Sequence, residues 1–65
     1  MTMAKIEHAR ALRYCSRGMR AFFEHHGLDY LTFVREGYPV EVLEATGDQM
    51  ALDVAKVARE QERGA

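Results

Sequence analysis

The apolar positions of this chain recur at three- and four-residue intervals and are interrupted by glycine. Gly27, Gly37 and Gly47 each follow a periodic segment, where a glycine in the left-handed conformation closes a helix. The first periodic segment runs from about Ala4 to Leu12, capped by Thr2 or the N-terminus, with Ile6, Ala9 and Leu12 as the candidates to face inward. At Tyr14 to Gly18 two readings compete. Ser16 is a good N-cap and Gly18 a poor helix-interior residue, which favours a break. The alternative is one continuous helix, on which Leu12, Cys15, Met19, Phe22 and His26 make one stripe and Arg10, Arg13, Arg17 and Arg20 another.

Beyond the break, a helix over about Arg17 to His26 buries Met19, Phe22 and Phe23. A short helix over Tyr30 to Glu36 follows, with Asp29 as N-cap and Leu28 and Phe33 at the spacing of a hydrophobic staple. Its inward face is Tyr30, Phe33 and Val34. Pro39 opens the next helix at its first position, where a missing N–H costs nothing. Val40 and Leu43 face in; Glu41 and Glu44 face out. Asp48 caps a last helix from Gln49 to about Glu62, whose apolar face is Met50, Ala51, Val54, Ala55, Val57 and Ala58. Leu52 falls off that face and marks a candidate contact. The expectation is an all-α single domain of four to five short helices, frayed at residues 1–3 and 60–65, with Phe22, Phe23, Leu28, Phe33, Leu43, Val54 and Val57 as its core.

Sixty-five residues bury only ~60% of the unfolded surface, so a chain of this size needs a staple or a partner. Cys15 is the single cysteine, which rules out a disulfide within the chain and points to a reducing compartment or a structural thiol. No secretory signal is visible, and the apolar runs fall far short of the ~20 residues needed to span a membrane. A cytoplasmic location is therefore expected, with no membrane partner.

The formal net charge is −1, but it is unevenly spread. Up to Leu28, Lys5, Arg10, Arg13, Arg17 and Arg20 oppose Glu7 and Glu24, a balance of +3. From Asp29 to Ala55, Arg35 opposes Asp29, Glu36, Glu41, Glu44, Asp48 and Asp53, a balance of −5. Opposite halves of this kind pair internally, or head to tail with another copy or another protein. The candidate interface residues are thus Arg10, Arg13, Arg17 and Arg20 on the basic side, Glu41 and Glu44 on the acidic side, and Leu52.

The chemical candidates are weak. His25 and His26 are adjacent, so on a helix they point about 100° apart and do not face one ion. Paired cysteines or an i, i+4 histidine pair would signal zinc, and neither is present. At a helix C-terminus a histidine instead covers orphan carbonyls and suits the dipole; His26 is expected half-buried beside Phe22 and His25 in solvent. Cys15 is expected as a small buried hydrophobe. No phosphate loop exists. The acidic residues have no apolar surroundings to raise a pKa. No catalytic residue, cofactor or metal is assigned, and the chain is read as a non-enzyme. The helices after Gly27 and Gly37 carry Glu36, Glu41 and Glu44, which disfavours readout of nucleic acid there.

The run Cys15-Ser16-Arg17-Gly18-Met19-Arg20-Ala21-Phe22-Phe23, then His26-Gly27-Leu28-Asp29-Tyr30, Phe33, Glu36-Gly37, and Glu44 to Ala51 resembles a family of short, mostly uncharacterised proteins of tailed bacteriophages and prophages. The resemblance covers Tyr14 to Ala58. It implies a phage structural or assembly component at the head, neck or tail, acting by protein–protein contact. Its partners would be other phage structural proteins and copies of itself, first in the host cytoplasm and then in the virion. It carries over no catalytic residue. The alternatives are a small phage DNA-binding regulator using the arginines, or an inhibitor of a host protein.

Overall fold

A computed structural model describes residues 2–64, so the fraying expected of Met1 and Ala65 lies outside the described residues. Five helices and one small antiparallel ribbon follow one another: β1 (Met3–Ala4), α1 (Ile6–Ala11), α2 (Ser16–His25), α3 (Tyr30–Arg35), β2 (Tyr38–Pro39), α4 (Val40–Glu44) and α5 (Gln49–Gly64). The fold is mostly helical but not purely α. β1 pairs with β2, Met3 opposite Pro39 and Ala4 opposite Tyr38, and the Val40 N–H donates to the Thr2 carbonyl at 3.1 Å. Two residues per strand are too few to show an alternation, so periodicity does not reveal such a ribbon. Pro39 is consequently not the first residue of α4 but its N-cap, with ψ at 135°. An extended proline suits a ribbon of this kind because it has no donor to offer.

The start of α1 also differs from expectation. Thr2 does not cap it; its hydroxyl donates to Glu62 at 2.8 Å. Lys5 is the N-cap residue, and its backbone N–H donates to His8 Nδ1 at 2.9 Å. His8 is nearly buried, at 7% exposure.

The break between α1 and α2 is real, which removes the continuous-helix reading. Both helices end in the same double hydrogen-bond motif. In α2, Leu28 N–H reaches Phe23 O at 2.7 Å and Gly27 N–H reaches Glu24 O at 3.1 Å. In α1, Tyr14 N–H reaches Ala9 O at 3.1 Å and Arg13 N–H reaches Arg10 O at 2.9 Å. The residue at the left-handed position is Gly27 in one case, with φ of 68°, and Arg13 in the other, with φ of 62°. This is the arrangement that covers the orphan carbonyls of a helix end. Cys15, not Ser16, is the N-cap of α2, its Sγ accepting from Gly18 N–H at 3.3 Å. Cys15 is therefore exposed, contrary to the buried hydrophobe expected of it: a capping side chain has to reach back over the helix end.

Asp29 caps α3 as expected. Oδ1 accepts from Leu31 N–H at 3.0 Å and Oδ2 from the Thr32 hydroxyl at 2.9 Å. Asp48 caps α5 through Met50 N–H at 2.9 Å. Gly37 and Gly47 are left-handed, at 85° and 71°.

The core forms around Phe23. Its ring centroid lies 4.7 Å from Phe33, 5.4 Å from Phe22, 5.5 Å from Tyr38 and 5.8 Å from Tyr30. Phe22, Phe33, Leu43 and Val54 are buried with it, together with Met19, Val40 and small residues from α1 and α5. Leu28 is only half-buried, packed against this cluster, and Val57 is likewise half-buried. Val34 is 41% exposed, because Tyr30 and Phe33 already fill the inward side of a helix only six residues long. Ala51, Ala55 and Ala58 are buried; with no side chain beyond Cβ, they let α5 lie close to its neighbours.

The accessible surface is 4362 Å², against about 4,200 Å² for a folded monomer of this mass. The radius of gyration is 10.5 Å, against about 10.7 Å for a compact chain of this length. The core thus closes within one copy. No helix among the described residues is long and apolar enough to cross a membrane.

The ribbon depends on Gly37. A Cβ there would stand 2.6 Å from the Ala4 carbonyl oxygen, whereas at Gly27 it would meet nothing within 4 Å. Both are left-handed, so both substitutions carry backbone strain, but only one also carries a backbone clash. Gly27→Ala is expected to cost about 1 kcal/mol in urea denaturation. Gly37→Ala is expected to cost more than about 2 kcal/mol and to open the ribbon. Equal costs would show that the β1–β2 contact is not a structural tie.

Candidate functional site

The basic side of the proposed interface is drawn from one short stretch of chain. Arg10 lies in the last turn of α1, Arg13 at the left-handed turn, and Arg17 and Arg20 three residues apart on α2. All four are exposed. None has a carboxylate within 4.0 Å among the described residues. Arg20 instead places its guanidinium carbon 5.4 Å from the centre of the Tyr30 ring, a cation–π geometry that orients the group without neutralising it.

The acidic side is different. Arg59 of α5 reaches across to α4 and donates to both oxygens of Glu44, through Nε at 3.0 Å and Nη2 at 2.9 Å. Glu41 lies 3.7 Å from the same guanidinium. The fork matches a carboxylate in two parallel bonds, the strongest arrangement an arginine offers. The hydrogen bond from Arg59 holds the Glu44 carboxyl below its ordinary range. One of the negative charges counted in the middle of the sequence, that of Glu44, is therefore answered from inside the molecule. Leu52 is exposed at 37% and borders a shallow depression of about 330 Å³ with Glu44, Lys56, Arg59, Glu60 and Arg63. The arginine set, without a carboxylate partner among the described residues, and the α4–α5 residues, joined by an ion pair, are thus unlike in character.

The histidines occupy three different environments. His25 is exposed. His26 stacks on Phe22 with centroids 4.6 Å apart, and its Nε2 is buried without a hydrogen bond, 3.9 Å from Asp48 Oδ2. His8 is the buried one, and its bond from Lys5 N–H requires an unprotonated Nδ1. Among the described residues no three His, Cys, Asp or Glu side chains come together in a way that could hold a metal ion. Tyr14 donates to Asp53 Oδ2 at 3.0 Å and so ties the α1–α2 turn to α5. Burial first, and then the Asp53 carboxylate, push its hydroxyl above the usual phenol range.

Sequence reasoning missed Arg59, His8 and the Tyr14–Asp53 bond. Arg59 is 15 residues from Glu44, too far for a local rule. His8 stands three residues after Lys5, the spacing of a reciprocal cap, but an unfamiliar residue pair hid it.

No protein-family model, curated protein or solved structure matches the chain.

The Arg59–Glu44 fork sets a pH dependence. The folded Glu44 pKa lies below its ordinary value of 4.5. The contribution of the fork is therefore present above the unfolded pKa and lost as pH falls through the folded one. Carbon-detected NMR titration should show Glu44 ionising below its ordinary value of 4.5 in the native chain. Arg59→Gln should return Glu44 toward 4.5; no movement would mean the fork is not formed in solution.

Proposed function

We propose that the chain is a non-catalytic protein-binding module, a small bacteriophage structural or assembly component of the head, neck or tail. It engages its partner through Arg10, Arg13, Arg17 and Arg20. The resemblance of residues 14–58 to short phage proteins supports the phage setting, with passage from host cytoplasm to virion. The observation that carries the surface is Arg13. It holds the left-handed position of a helix end at φ of 62°, where glycine is better by roughly 1 kcal/mol. A long cation kept at a strained position, with no carboxylate beside it, supports a use outside the fold. Arginine is also a residue that protein interfaces favour.

The same unpaired arginines support a second reading, a small DNA-binding regulator. Arg20 favours the first, since it lies stacked on Tyr30 beside Leu28 and Leu31 in one depression. An apolar neighbourhood of that kind suits a protein partner better than a phosphate backbone. A host-enzyme inhibitor acting as a polyanion mimic has less support, because Arg59 occupies Glu44 and shields Glu41.

The test uses tagged chain in phage-infected cells. Wild type should copurify with particle components. Arg13→Gly should keep or raise stability by up to about 1 kcal/mol in urea unfolding while weakening that capture. Arg17→Glu with Arg20→Glu should abolish it with unchanged circular dichroism. Capture indifferent to all three changes would refute the reading. A DNA affinity falling steeply with salt would favour the regulator instead.

A further inference from the structure

The outward face of α3 enters the reading above only through Leu31, which lines the depression beside Arg20. Leu31 is 59% exposed, the highest value among the exposed large hydrophobic residues, and Val34 is 41% exposed. They stand three residues apart on the helix and so share a face, and Arg35, four residues after Leu31, lies on the same side. At the other end of this face is a cleft of about 440 Å³ between α2 and α3, lined by Arg20, Glu24, Leu28, Asp29, Tyr30 and Leu31. The charged residues of that lining are Arg20, Glu24 and Asp29, a balance of −1. The face therefore runs from negative at the start of α3, through two aliphatic side chains, to positive at its end. Glu36, next to Arg35, is the C-cap residue and by helical period turns away from Leu31.

A surface graded in this way complements itself when rotated half a turn. We propose that this face of α3 is a two-fold contact between two copies of the chain. The α3 helices lie antiparallel, Leu31 and Val34 of each copy pack on those of the other, and Arg35 of each meets the Glu24 and Asp29 end of the other. A contact of this type is isologous and closes at the dimer. Antiparallel helices also set opposite dipole ends side by side. The cleft suits a cation from outside because Glu24 has no partner within 4.0 Å among the described residues; Asp29, whose oxygens cap α3, adds its charge to that end. One six-residue helix provides less than the ~800 Å² per copy of a standard interface. The association is accordingly weak, and becomes firm when other contacts hold the copies together.

This deepens the assembly reading by naming the contact between copies; Arg20 and Leu31 belong to both surfaces, but Arg13 lies outside this one, so Arg13→Gly and Leu31→Asp let the two fail separately. Capture of a particle component tests the arginines, and self-association of the purified full chain tests α3. Sedimentation equilibrium from about 10 µM to 1 mM should show a reversible monomer–dimer equilibrium. Leu31→Asp, at an exposed position, should leave circular dichroism unchanged and the chain monomeric throughout. Arg35→Glu alone and Glu24→Lys alone should each weaken the dimer roughly tenfold. An equimolar mixture of these two variants should recover it, because in the mixed dimer both charge pairs are opposite in sign. A wild-type chain monomeric over the whole range, an oligomer larger than two, or a mixture no better than its components would overturn the proposal.

Discussion

The packing of Phe23 is the contact on which the remaining structure rests. Its ring touches aromatic rings from its own helix, from α3 and from β2, so a single side chain unites three elements that local hydrogen bonds alone would leave independent. Helices of six and five residues are far too short to persist by themselves in water. They exist here because each gives one or two side chains to the common cluster and has its ends closed by caps. The ribbon adds a second tie, bringing the start of the chain onto the segment between α3 and α4 at the one place where a glycine lets two backbones approach.

Charge is arranged by the fold rather than by the order of residues. Counted along the sequence, the chain has a basic first part and an acidic middle. In space, α5 brings Arg59 onto the acidic residues of α4, while among the described residues the arginines around the α1–α2 turn have no carboxylate partner. The molecule therefore presents arginines without a carboxylate partner on α1 and α2, and on α4 an acidic pair that shares one guanidinium. This asymmetry is why the arginine edge, rather than the glutamates, supports the binding reading.

The closure of the core within one copy changes what a partner is for. Surface area and radius of gyration are those of a monomer of this size, so association is not needed to hide an open core. Under the proposed reading, contacts with a partner then serve conditional binding rather than completion of the fold. The left-handed Arg13 and the outward aliphatic pair on α3 are two of the places where residue choice departs from what a solitary domain would favour.

Where the helices lie was legible in the sequence, because caps and stops are local chemistry. Asp29, Asp48, Gly27, Gly37 and Gly47 act within a turn of their own position, and the 3.6-residue period identified Phe22, Phe23, Phe33, Leu43 and Val54 as interior. The half-buried His26 and exposed His25 followed from the same periodicity. Long-range geometry was not legible. The pairing of Met3–Ala4 with Tyr38–Pro39, the reach of Arg59 to Glu44 and of Tyr14 to Asp53, and the outward turn of Val34 depend on which elements become neighbours. That is decided by how bulky rings and alanine-lined helices fill one small volume, a property of the whole chain that no window along it contains.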